Sequence, residues 1–290
     1  MLFNVGAAGD VRCAVVGHVE VVEFARVDHV PRPGEIIQTR ETWTEPAGGG
    51  AVAAAALLRL VGDITFFTAF GDDELGHWAE RELREHGLRV ECVYREEPQR
   101  RGFTYVDDDG ERTITVIGRK LVPHADDPLP WAELDEVAGV YFCGGDPAAL
   151  REARRAQALV ATARELPTLR EARVELDALT QSSTDESERY RPGELNPPPR
   201  RVVTTEGRSG GHYVEGDLKG RWAAAPLPGP LADTYGAGDT FAAALAFALG
   251  VVRSTADALD LAAENAAAAM TRPGAGISRA GDPNRRDRDR

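Results

Sequence analysis

Cysteine is scarce. Cys13, Cys92 and Cys143 are the only three in 290 residues, and no two stand at the spacing of a redox or zinc CxxC pair. They read as small buried hydrophobes. The six histidines are scattered, with neither an HExxH nor an HxH pair, which argues against a hydrolytic zinc centre. No apolar run reaches the roughly 18 residues needed to cross a bilayer. Met1 to Val15 include Asp10 and Arg12 and lack a charged start followed by an apolar run, so they do not resemble a secretion signal. Basic charge is in the minority: 34 Lys plus Arg against 47 Asp plus Glu leave −13, which repels a polyanion. The expectation is a cytoplasmic protein that works on small molecules, with neither nucleic acid nor membrane as partner.

What is present is globular. Hydrophobic residues make up 42% and charged residues 28%, and the length suits one large α/β domain or two ordinary ones. Short apolar runs (Cys13 to Gly17, Ile64 to Ala69, Gly139 to Cys143, Ala158 to Thr162, Ala178 to Gln181, Arg201 to Thr205) alternate with helical stretches (51–60, 74–86, 147–155, 165–172). That rhythm predicts an α/β fold with a doubly wound, mostly parallel sheet and helices on both faces. Two stretches break it, 24–43 and 88–117, where apolar and polar residues alternate with period two. With the turn signal Asp107 to Gly110 between two runs, they predict a small β-sheet lid from segments at about 20–45 and 88–118. An exposed lid edge would also offer a surface for a homodimer. The domain is taken as 1–280, with a polar, proline-rich loop at 181–200 and a disordered tail at 281–290.

The feature with most chemistry is Asp233-Thr-Tyr-Gly-Ala-Gly-Asp239, followed by Thr240, Phe241, Leu245, Ala248 and Leu249 at helical spacing. A tight glycine turn opens a helix there. The amides of Gly236, Ala237 and Gly238, with the positive end of the helix dipole, would form a socket for an anion, phosphate above all. Asp239 at its rim would accept the proton of a hydroxyl attacking a γ-phosphate. The other reading of the same residues is a helix start with a stabilising aspartate and a plain turn. No Gly-Lys-Ser/Thr follows, so this is not a Walker loop.

This segment resembles the second signature of the PfkB family of carbohydrate kinases, which have the ribokinase-like fold. Other pieces fall in that family's order: Pro31 to Glu35, Gly48 to Gly50, Gly71 to Gly76, Thr205 to Gly207 and Thr271 to Ala275, so the resemblance spans about residues 11 to 280. It implies an ATP-dependent kinase that phosphorylates a hydroxyl of a sugar or sugar-like molecule under a β lid. Mg2+ and a monovalent cation such as K+ are the implied ions. Carried over by position, Asp239 resembles the catalytic base and Gly236, Ala237 and Gly238 the anion hole. Thr205 and Gly207 resemble the turn beside the nucleotide, and Asn265 and Gly274 the adenine border. Asp233 resembles a support for the monovalent cation, or else a turn-capping residue.

The chain departs from the family at the acceptor end. Val22 stands where an aspartate usually grips sugar hydroxyls, flanked by Glu20 and Glu23, of which Glu20 is the candidate replacement. Ala53 stands where an asparagine is usual, while Gly49 and Gly50 still let a ligand approach the backbone closely. Gly48 to Ala53 also reads as a GxGxxA dinucleotide fingerprint, against which stands Pro46, expected to break a preceding strand. Ser182 and Asp185 replace the family's Asn-x-x-Glu, with Asp185 left to hold a magnesium-bound water. Arg100 and Arg101, just before Phe103, are placed to reach a phosphate or carboxylate on the acceptor, Arg101 being the candidate. The departures at Val22, Ala53 and Ser182 also fit an alternative: a non-catalytic ligand-binding or regulatory protein that keeps the kinase fold.

Overall fold

The structure, a computed structural model, describes residues 11–252 and 254–277, so the expected tail at 281–290 lies outside the described residues. The chain lays its short apolar runs down as the middle of a nine-stranded sheet. In sequence these strands are β1 (Cys13–Val16), β4 (Ile64–Gly71), β5 (Arg89–Arg95), β8 (Gly139–Phe142), β9 (Ala158–Thr162), β10 (Ala178–Ser182), β11 (Arg201–Thr205), β12 (Gly211–Glu215) and β13 (Leu218–Trp222). Their spatial order is β13-β12-β11-β10-β9-β8-β1-β4-β5. The pairs from β11 to β5 are parallel, and β12 and β13 add antiparallel at one edge.

Successive residues of a strand point to opposite faces, and here both faces are covered. Cys13 and Val15 join one core with α1 (Gly48–Val61), α5 (Ala237–Val251) and α6 (Thr255–Ala269). Ala14 and Val16 join the other with α3 (Pro147–Ala153) and α4 (Leu166–Ala172). On β8 the same parity sends Tyr141 to the α1 and α5 side and Val140 and Phe142 to the other. Helix α5 is buried without a break from Thr240 to Ala248 because it lies between the sheet and both α1 and α6. A helix apolar all round is what such a position requires.

A second sheet of four strands has the order β3-β2-β6-β7, formed by β2 (Glu20–Arg26), β3 (Glu41–Ala47), β6 (Arg101–Val106) and β7 (Arg112–Ile117). Strands β6 and β7 form a hairpin whose turn is the expected Asp107 to Gly110: Asp107 Oδ1 accepts from the amides of Asp109 and Glu111. The lid boundaries need correcting in one place. Residues 89–95, expected in the small sheet, are β5, the edge strand of the large one, paired in parallel with β4. An edge strand buries one face more than the other, so its residues alternate like those of a lid. Pro46 does not end the strand before α1. It lies within β3, at the edge of the small sheet, the place in a ladder where a missing N–H is tolerated.

Candidate active site

Where the two sheets face each other they enclose a cavity of about 360 Å³. The large sheet contributes the carboxyl ends of its strands: Tyr141 and Cys143 at β8, Thr162 at β9, Thr180 and Gln181 at β10, and Thr205 at β11. The small sheet contributes Glu20 from β2 and Ile114 and Val116 from β7. Gly48 and Gly49 at the start of α1, and Gly236, Gly238 and Asp239 at the start of α5, close the floor. Ligands of doubly wound sheets sit outside the carboxyl ends of the strands.

The glycine turn is held from both sides. Gly236 precedes α5 with φ at +68°, a conformation that favours glycine, and a Cβ there would stand 2.4 Å from Cγ1 of Val52. A Cβ on Gly238 would meet no protein atom within 4 Å, so this residue faces open space in the cavity. The amide of Ala237 leans toward Thr234 O at 3.4 Å, and that of Thr240 makes the first helical bond, to Gly236 O at 2.9 Å. The amides of Gly238 and Asp239, between them, have no acceptor among the described residues. Arg112 of β7 donates to Thr234 O and Oγ1 at 3.1 and 3.0 Å, and the Thr234 amide donates to Gly110 O at 3.1 Å. The hairpin of the small sheet is thereby fastened to the turn.

Asp239 faces the cavity, and its Oδ1 accepts a 2.8 Å hydrogen bond from the Tyr141 hydroxyl. At the end of the cavity formed by the small sheet, Glu20 stands 2.8 Å from Arg100 Nε and 3.5 Å from His18 Nε2. Burial disfavours its charge, but the His18 hydrogen bond and the charges of Arg100 and Lys120 outweigh that and hold the carboxyl below its usual range. Lys120 itself pairs with Glu165. At the opposite end Arg164 pairs with Glu188 and, at 2.8 Å, with Asp185. Burial lifts the Glu188 carboxyl above its usual range against the pull of Arg164.

The expected site residues divide on this geometry. Asp239, Gly236, Gly238, Thr205, Glu20 and Gly49 line the cavity, and Ala237 lies in the turn between two of them. Gly50 is packed under it instead: a Cβ there would lie 2.6 Å from His18 O. Arg101, first residue of β6, is exposed and outside the cavity, while Arg100 lines it. Gly207 opens an exposed turn beyond β11. Asn265 uses its amide within α6, donating to Leu261 O at 2.9 Å. Asp185 lies outside the lining, with Oδ1 accepting from the amide and hydroxyl of Ser187 and Oδ2 on Arg164. Asp233 is fully buried. Its Oδ1 accepts from the Tyr235 amide at 2.9 Å and its Oδ2 from the Gly274 amide at 2.8 Å, so it clamps the loop after α6 to the glycine turn. Val22 and Ala53 are buried core residues.

Tyr141, His18, Lys120, Arg164 and Glu188 went unforeseen. Tyr141 carried a usable signal, a polar tip near the carboxyl end of an apolar strand; for the others only the folded register brings them together.

Among described residues no three His, Cys, Asp or Glu gather as a metal cluster, and no helix is long and apolar enough to cross a membrane. Comparison with known proteins gives a consistent result. A family model described as pfkB family carbohydrate kinase matches residues 11–174 and 166–280. An ATP-dependent ribose-1-phosphate kinase from Halopiger xanaduensis is 34% identical over 128 residues, 43% of this chain and 42% of that protein. The alignment thus spans less than half of that relative. The crystal structure of a Cryptococcus neoformans ribokinase in complex with ADP superposes with a TM-score of 0.70 at 23% identity, covering 92% of this chain and 96% of that one. An adenosine kinase from Sinorhizobium meliloti gives 0.72 at 19% identity, with 92% and 95% covered. Likenesses this distant in sequence speak for the shared fold.

Proposed function

The chain belongs to the pfkB family of carbohydrate kinases, and we propose that within it this protein transfers the γ-phosphate of ATP to a hydroxyl of a sugar or sugar-like acceptor, with Asp239 as the general base. One observation carries the reading: a cavity-facing carboxylate stands beside a helix start whose Gly238 and Asp239 amides have no acceptor of their own. A phosphoryl group at that helix start would be held by backbone N–H groups and the helix dipole. Asp239, one residue on, then takes the proton as the acceptor oxygen forms its bond to phosphorus. Gly49 leaves room for this, since a Cβ there would fall 2.8 Å from Asp239 Oδ1.

Glu20 is the acceptor-binding carboxylate in this reading. Kept ionised by Arg100, His18 and Lys120, it can accept hydrogen bonds from hydroxyls where the chain has Val22 and Ala53 in its core. Arg100 takes the role expected of Arg101. Thr205, in the cavity wall, borders the nucleotide. ATP as donor agrees with the ADP named for the ribokinase structure and with the name of the Halopiger relative.

The donor set fits magnesium carried mainly by phosphate oxygens and water, because that ion needs few protein carboxylates. Glu188, which faces the cavity, fits a bound water better than Asp185, which is turned to Ser187 and Arg164. When bound, the ion neutralises phosphate charge. Asp233 does not fit a monovalent-cation ligand, having given both oxygens to amides in a fully buried setting, and no step depends on one.

The test is ADP release against a panel of sugars, sugar phosphates and nucleosides. Asp239→Asn should reduce turnover by about 10²- to 10⁴-fold, the usual worth of a general base. Turnover of the variant equal to the native protein's on the best acceptor would refute the assignment. An absence of turnover on every acceptor would favour a binding protein.

A further inference from the structure

We infer that Tyr141 is a positioning residue for Asp239: its buried phenol hydroxyl donates to Oδ1 at 2.8 Å and leaves Oδ2 as the oxygen presented to the acceptor. The inference rests on Asp239 being the base. A carboxylate on an aspartate turns about a soft, two-fold torsion, so a base of this type needs something to fix its plane. Two elements do so from one side. Strand β8 sends Tyr141 toward α5, and the ring is 1% exposed, so its hydroxyl must find its partner inside the protein. Helix α1 brings Gly49 against the same oxygen: a Cβ there would lie 2.8 Å from Oδ1, 3.2 Å from Cγ and 3.4 Å from Oδ2. Oδ1 is therefore the oxygen held by the Tyr141 hydroxyl, in the space that Gly49 of α1 leaves for it.

The hydroxyl keeps its proton. Burial, and then the negative charge of Asp239, push the Tyr141 phenol well above its ordinary value, so it stays a donor throughout the range in which a kinase is assayed. The other titratable groups that act on Asp239 are Arg164 and Glu188, which pair with each other, and the buried Cys143 and Tyr235. Cys143 and Tyr235 are themselves pushed upward by burial and stay neutral.

The experiment is Tyr141→Phe with full steady-state kinetics for ATP and acceptor, beside Asp239→Asn. The expected result is a fall in kcat of about tenfold, the worth of one hydrogen bond to a charged group, with KM for ATP within about twofold. KM for the acceptor should likewise stay within about twofold, so that the loss falls on kcat. A side chain that merely fills space would leave kcat at the native value, because phenylalanine keeps the ring and removes only the hydroxyl. An inactive Asp239→Asn beside a Tyr141→Phe enzyme with native kcat overturns the role of Tyr141 and leaves the base in place. An effect confined to KM for the acceptor, with kcat native, also overturns it, since the phenol would then serve the acceptor. A fully active Asp239→Asn overturns the base itself. Should Tyr141→Phe fail to fold, Gly49→Ala is the second variant: its methyl presses on Oδ1 and should lower kcat, and native kcat in that variant would overturn the inference.

Discussion

Two glycines separated by one residue, Gly236 and Gly238, should respond to alanine in opposite ways. Gly236 has φ at +68° and its missing Cβ would stand 2.4 Å from Val52 Cγ1. Left-handed backbone costs an alanine about 1 to 2 kcal/mol, and overpacking a core contact costs about 1 to 3 more. Gly236→Ala should therefore lose roughly 2 to 5 kcal/mol, and at about 2 to 4 °C per kcal/mol for a domain of this size its Tm falls on the order of 5 to 15 °C. Gly238 lies in the first turn of α5, and its Cβ would meet nothing within 4 Å. Alanine there stabilises the helix by up to about 1 kcal/mol. Its methyl, however, would occupy the space in which the proposed reading holds the phosphoryl group. Gly238→Ala should thus melt at or above the native temperature and yet lose at least about tenfold in kcat/KM for ATP. Differential scanning fluorimetry and steady-state ADP release on the same samples decide the matter. A Gly238→Ala protein with native kinetics would refute the phosphate socket, and a Gly236→Ala protein with native Tm would refute the steric argument.

Arg100→Ala removes the guanidinium 2.8 Å from Glu20 and should raise acceptor KM about tenfold, whereas Arg101→Ala, exposed outside the cavity, should change it less than about twofold; equal effects would overturn the assignment of Arg100. Asp233 gives a pH prediction. Burial, partly offset by the Gly274 and Tyr235 amides, raises its carboxyl from 3.8 to about 6, so the folded chain holds that proton more tightly than the unfolded one. Its contribution is thus most favourable below pH 3.8 and is lost as pH rises through about 6. Urea unfolding of the native protein against Asp233→Asn should show the native advantage shrinking by on the order of 2 to 3 kcal/mol across that window. An advantage that grows with pH refutes the sign.

The centre of the large sheet was legible because its strands are buried on both faces and therefore appear as short, unbroken apolar runs such as 13–16 and 139–142. Its edges were not. Arg89–Arg95 alternates because one side of an edge strand is wetter, and that is also the pattern of a lid strand. Which sheet the segment joins is settled by its pairing with Ile64–Gly71, a long-range fact that no local period contains. β12 and β13 escaped notice for a related reason: Gly211–Glu215 and Leu218–Trp222 are polar enough to read as loop, and gain their order from pairing on β11.

For the site, legibility follows the range of the chemistry. The proposed anion site is made by consecutive residues, so Gly236 to Asp239 can be picked out in the sequence as a unit, and in the structure the Gly238 and Asp239 amides are left without acceptors among the described residues. The end of the cavity proposed for the acceptor is assembled from side chains far apart in sequence, Glu20, Arg100 and Lys120, and their identities alone do not say which of two neighbours faces inward. At 100 and 101 the residue type is the same, so composition offers no preference. The backbone decides: the Arg100 carbonyl accepts from Val21, and β6 then begins at Arg101 in register with β2, leaving Arg100 beside Glu20 and Arg101 in solvent. Because β2 and β6 pair in parallel, a shift of one residue in that register would exchange the two arginines and move Glu20 off its partner as well. On the proposed reading, acceptor specificity is therefore tied to the register of the small sheet, and the Asp107 to Gly110 turn, which Arg112 and Thr234 fasten to the glycine turn before α5, helps to hold that register.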